Sequence, residues 1–142
     1  FIMAIAQAMC TSFKEDLFQK EQDLDTDSIK IALYTSSASL GAATTAYTTS
    51  GEVASGGGYT TGGVVLANPV IGTSGTTAYV DFDNPEWTSA TFTTAGALIY
   101  NDTTAGDNSI AVLNFGGDFT VTAGTFRIVF PSPGAAGLIR ID

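Results

Sequence analysis

A chain of 142 residues has the length of one ordinary domain, enough to bury a core without disulfide or metal staples. Charged residues make up 13%, against about 25% in average proteins, so Thr, Ser and Gly must cover much of the surface. The net charge is −9, and the five basic residues, Lys14, Lys20, Lys30, Arg127 and Arg140, are scattered, which argues against nucleic acid or an anionic membrane as partner.

The chain opens with "FIMAIAQAMC", apolar but without a basic flank or a cleavage pattern, so no signal peptide is expected. Phe1 and Ile2 precede a start-like Met3-Ala4 pair. "TSFKEDLFQKEQDL" sets Phe13, Leu17 and Phe18 at helical spacing, and Ser12 with Glu15 reads as a capping box. These signals predict one helix over about residues 4–20, with a break expected near Ser12. Residues 1–27 form an N-terminal helical segment, and 28–142 a β domain. From Ser28 the period becomes two: Ile29, Ile31 and Leu33 alternate with Lys30, Ala32 and Tyr34. Residues 36–50 read as a long Ser/Ala/Thr surface loop. Short strands are then predicted at 59–61, 64–71, 77–82, 90–94, 97–100, 110–115, 119–121, 125–130 and 138–141. Turn signals such as "DNPE", "NDTTAGDN", "FGGD" and "SPG" separate them. The pattern predicts an all-β sandwich of jelly-roll type with about eight to ten strands and one N-terminal α-helix. The predicted core comprises Leu17, Ile31, Leu33, Val65, Val80, Phe82, Trp87, Phe92, Leu98, Ile99, Leu113, Phe115, Ile128, Phe130 and Ile139. Neighbours such as Leu98 and Ile99 both point inward only if something covers the second face of the sheet, which favours oligomerisation.

The glycine-rich stretch "SGEVASGGGYTTGGVVL" invites a phosphate-loop reading. A Walker loop needs Lys after its second glycine and then a helix. Here Gly63 follows Gly62 and a strand pattern follows both, so the stretch is expected to be a turn-forming loop. Asp81 and Asp83 in "VDFDNPEW" are two apart and expected on one solvent-facing side, with no complete calcium loop around them. Asp102 and Asp107 fit a hairpin turn, and Trp87 fits a core anchor. The chain has no histidine, so a Ser-His-Asp triad is absent. Cys10 lacks a histidine partner and reads as a small buried hydrophobe; being the one cysteine, it makes no internal disulfide. Asp81, Asp83 and Glu86 would need a further acid, brought by the fold, to make a glycosidase-like pair. No catalytic residue, metal or cofactor is expected, and the chain is expected not to be an enzyme.

Taken in order, "FKEDLF", "IKIALYTSSASLGAATTAYTTSGEVASGGGYTTGGVVLAN", "AYVDFDNPEWTSATFTTAGALIYND" and "AVLNFGGDFTVTAGTFRIVFP" resemble a family of small tailed-bacteriophage virion proteins, over roughly Met3 to Ile141. The resemblance implies a virion component, made in the host cytoplasm, and by extension a decoration or cement protein on the capsid surface. It brings no catalytic or ligand residues. Its implied partners are the major capsid protein and copies of itself as a homo-oligomer. Ile5, Met9, Phe13, Leu17 and Phe18 are the candidate docking residues; the competing possibility is that they cover an open end of their own sandwich. Two other classes remain: a tail or fibre adaptor that binds a host surface glycan, using aromatics such as Tyr47 and Tyr59, and a small carbohydrate-active enzyme with two facing carboxylates.

Overall fold

The computed structural model describes residues 4–142, so residues 1–3, including the start-like Met3, lie outside the described residues. Among the described residues there are two antiparallel sheets and one short helix. Residues 4–10 are extended rather than helical. The Ala6 amide donates to the Leu40 carbonyl at 2.8 Å, and strand β1 (Ala8–Met9) pairs with Val112 and Ala111. The helix predicted from residue 4 therefore shortens to α1 (Thr11–Gln19). The physical reason is long-range: a sheet edge at residues 110–112 supplies partners for backbone groups that a helix would otherwise pair locally. The capping box does not form. Cys10 is the N-cap without a side-chain cap bond, the Ser12 hydroxyl lies 3.3 Å from the Ser109 hydroxyl, and Glu15 accepts from Gln19. The C-terminus of α1 closes in a Schellman pattern: Lys20 is left-handed, its amide donates to the Leu17 carbonyl and the Glu21 amide to Asp16.

The larger sheet runs β1-β7-β6-β2-β3. Strands β2 (Ile29–Tyr34) and β3 (Val64–Val65) flank a long hairpin of β6 (Glu86–Asn101) and β7 (Ser109–Arg127). The separate strands predicted at 90–94 and 97–100 are one strand, as are those at 110–115, 119–121 and the first half of 125–130. "FGGD" is not a turn but an irregularity inside β7: Thr94 faces Phe119 while Gly96 faces Asn114, so three more residues are spent on β7 than on β6. Glycine marks a bulge as readily as a turn. The smaller sheet runs β4-β5-β8, with β4 (Val70–Ser74), β5 (Thr77–Asp81) and β8 (Ile139–Ile141). Gly75, at φ 61, opens the two-residue turn between β4 and β5. Residues 59–61 belong to an irregular loop rather than a strand.

One core unites the parts, and it includes Cys10 and Phe13 of the N-terminal segment. Ile31, Leu33, Phe82, Trp87, Phe92, Leu98, Ile99, Phe130 and Ile139 are buried as predicted, while Leu17, Val80, Leu113, Phe115 and Ile128 are partly buried against them. Val65 is the exception: it stands 58% exposed on the short strand β3. Leu98 and Ile99 are both fully buried, and the chain itself covers both faces of β6 at this point. The next two residues show how. Tyr100 points to the loop around Gly62, and Asn101 points to Gln22 and Asp27 after α1. Burial of that pair needs no second subunit.

Candidate functional site

The glycine-rich loop is held by a carboxylate of its own. Glu52 accepts hydrogen bonds from the Tyr47 and Tyr59 hydroxyls, each at 2.6 Å, and from the Gly62 amide at 2.7 Å. The Tyr59 oxygen also accepts from the Leu33 amide at 2.9 Å, which ties the loop to β2. Tyr100 donates to the Gly62 carbonyl at 2.7 Å, and its ring stacks on Tyr47 with centroids 4.6 Å apart. Burial first, then the nearby Glu52 carboxylate, pushes the Tyr59 and Tyr34 hydroxyls well above their usual range. Tyr47 and Tyr59 are thus not free aromatic platforms: Tyr59 is 2% exposed and both hydroxyls are engaged. The glycines are required by close approach. A Cβ on Gly63 would sit 1.8 Å from the Ile31 carbonyl oxygen, and one on Gly57 2.2 Å from that of Thr91. No phosphate enters where backbone already lies against backbone; the loop turns and packs.

The acidic candidates are dispersed. Asp81 is not on a solvent-facing side: it is 1% exposed, accepting from the Phe82 amide at 2.9 Å and the Leu138 amide at 3.3 Å. Asp83 is exposed and bonded to Asn68. Glu86 pairs with Arg127 across the hairpin. Asp102 lies 3.8 Å from Lys30, and Asp107 sits in the β6–β7 turn. Among the described residues, no three of His, Cys, Asp or Glu come together as a metal site. Cys10 is fully buried, and burial pushes its thiol up, away from a reactive thiolate. Trp87 is a core anchor at 3% exposure, packed between Tyr59 and Phe126, with its indole N–H unpartnered.

Exposed apolar side chains form a further candidate surface. The structure divides the five candidate docking residues. Phe13 turns into the core at 1% exposure. Ile5 lies over Gly96, where a Cβ would come within 2.8 Å of its Cδ1. Met9, Leu17 and Phe18 come together in a groove closed by Ile141 of β8, and Phe18 is 92% exposed. A second apolar hollow lies further along β7, lined by Phe115, Phe119, Phe126, Ile128 and Val129. Phe115 packs edge to face on Phe119, with ring centroids 6.2 Å apart, and tilted on Phe126. Sequence reading missed Ile71, Phe119, Val129 and Ile141 as surface groups, although alternation through "FRIVF" already sets Val129 opposite Phe126, Ile128 and Phe130. No helix is long and apolar enough to cross a membrane among the described residues. Comparison with protein families, with curated proteins and with solved structures finds no match for this chain.

Proposed function

We propose that this chain is a non-enzymatic virion structural protein that binds the outside of a tailed-phage capsid as a decoration or cement protein and stabilises the shell. The observation that carries the reading is Phe18, a large apolar side chain 92% exposed in a groove of apolar neighbours. A contiguous apolar patch on a folded domain marks a surface that another molecule covers. The sequence resemblance supplies the setting. Its partners in this reading are the major capsid protein and further copies of itself, with no nucleic acid, membrane or cofactor. The two-sheet antiparallel body supports the finer architectural part of the proposal, a jelly-roll sandwich. The alternative, a tail or fibre adaptor for a host glycan, loses support because Tyr47 and Tyr59 are tied to Glu52.

Quantitative mass spectrometry of purified virions tests the proposal. A copy number near that of the major capsid protein, or a simple fraction of it, is the expected result. A handful of copies per particle would move the protein to a vertex or the tail, and absence from the particle would end the virion reading.

A further inference from the structure

The groove beside α1 is not only apolar; it also holds cations that no carboxylate pairs among the described residues, although Arg140 donates to the Ala135 carbonyl at 3.3 Å. Lys14, Leu17 and Phe18 stand at the spacing of three and four that aligns one helix face. They line one groove with Met9, Arg140 and Ile141. Through Leu17 and Ile141 this groove continues over the second sheet, where Ile71 is 52% exposed and Lys20 stands at the lip. Lys30 and Arg127 are committed to Asp102 and Glu86. Lys14, Lys20 and Arg140 form no ion pair with a carboxylate among the described residues. All three border this one surface, and Asp23 is the acid on its lining. On the lining itself three cations thus face one acid, on a molecule whose net charge is −9, with Glu21 and Asp142 flanking Lys20 and Arg140 in the chain.

We infer that this groove receives a segment of a different protein whose apolar side chains are flanked by carboxylates, and that in the virion reading, on which this rests, the segment belongs to the shell protein. The charge pattern chooses among occupants. A second copy docked face to face about a two-fold axis would set Lys14, Lys20 and Arg140 against the same three cations. Polyanions such as nucleic acid or an anionic bilayer would meet three cations backed by a strongly acidic body. An acidic amphipathic segment satisfies both features: its apolar side chains take up Phe18, Leu17 and Ile141, and its carboxylates meet the cations at the rim. Phe18 is the anchor, and the cations set register and association rate.

The test uses the full chain and empty shells assembled from the major capsid protein of the phage that carries this gene. Co-sedimentation gives the affinity at low and moderate salt, with melting curves to confirm that each variant folds. The wild-type chain is expected to bind saturably and more weakly as salt rises. Phe18→Asp is expected to lose about 30-fold or more. The triple variant K14E/K20E/R140E is expected to lose about tenfold and to bind no more weakly as salt rises. Wild-type binding that both variants retain would overturn the inference and leave the shell reading standing. Loss in the triple variant alone would overturn the apolar anchor. Failure of the wild-type chain to bind would overturn the shell reading and this partner with it. If Phe18→Asp instead abolishes self-association in sedimentation velocity while shell binding persists, the occupant is a second copy and the inference is wrong.

Discussion

The two halves of the β6–β7 hairpin obey different rules although the same two strands build both. Near the turn, residues Ala95–Asn101 are buried without a break. β2 pairs with β6 there from Gly96 to Asn101, β1 covers β7 at Ala111 and Val112, and loops close both faces. Toward the open end burial alternates: Trp87, Ala90, Phe92 and Thr94 are inside, and Glu86, Thr88, Thr91 and Thr93 are outside. No strand pairs with the outer edge of β7 beyond Val112 among the described residues. The contrast shows that an apolar run such as "GALIY" needs covers on both faces, whereas "EWTSATFTT" needs one. The open half guards its free edge with bulges and glycines, which spoil the flat ladder another strand would need.

Alkali should have the largest effect, through buried tyrosines of β2, β6 and the glycine-rich loop. Tyr34, Tyr59 and Tyr100 are buried, and burial holds all three hydroxyls well above the ordinary 10.0. Below pH 10 the tyrosines are neutral in both folded and unfolded chains, so their contribution is intact. Above it, the unfolded chain releases protons that the folded chain retains, and stability falls as pH rises. Each tyrosine costs about 1.4 kcal/mol per pH unit in that window, so three cost roughly 4 kcal/mol. Urea titrations at pH 9, 10 and 11 measure this; equal stability at pH 10 and 11 would contradict the network.

Truncation sharpens the comparison next. Ile99→Ala removes a fully buried side chain and is expected to cost about 3 kcal/mol, whereas Phe119→Ala, from a residue 52% exposed, should cost less than about 1 kcal/mol. Thermal melts that rank them equally would erase the distinction between the halves. Glycine substitutions give a smaller contrast. Gly63→Ala forces a Cβ onto the Ile31 carbonyl and is expected to cost about 2 kcal/mol or more. Gly116→Ala meets nothing within 4 Å and bears only its positive φ, about 1 kcal/mol. The smallest effect is local: amides of residues 97–100 should exchange more slowly than those of 119–121, read by native-state hydrogen exchange.

Much of this was legible in the sequence because it is periodic and local. Alternation marks β2 and the inward residues of β6, and the missing Lys after Gly62 already makes the glycine stretch a turn. Phe18 was half-legible: five residues beyond Phe13, it falls about 140° around the helix from it, so a helix that buries Phe13 turns Phe18 away. What the sequence hid depends on contacts between distant positions. Residues 4–10 become extended because Leu40 and residues 110–112 are there to pair with them. The Glu52 network joins Tyr47, Tyr59 and Gly62, and no periodicity announces a carboxylate among tyrosines. The continuous β7 was hidden by Gly116 and Gly117, which read as a turn and act as a bulge.

The proposal that this chain is a virion component predicts that the groove beside α1 is covered in the particle. Hydroxyl-radical footprinting of the free protein and of intact virions tests it residue by residue. Phe18, at 92% exposure, should be modified readily in the free chain and protected in the particle, together with Met9 and Ile141. Phe18 modified as fast in virions as in the free protein would show the groove uncovered and overturn the docking proposal.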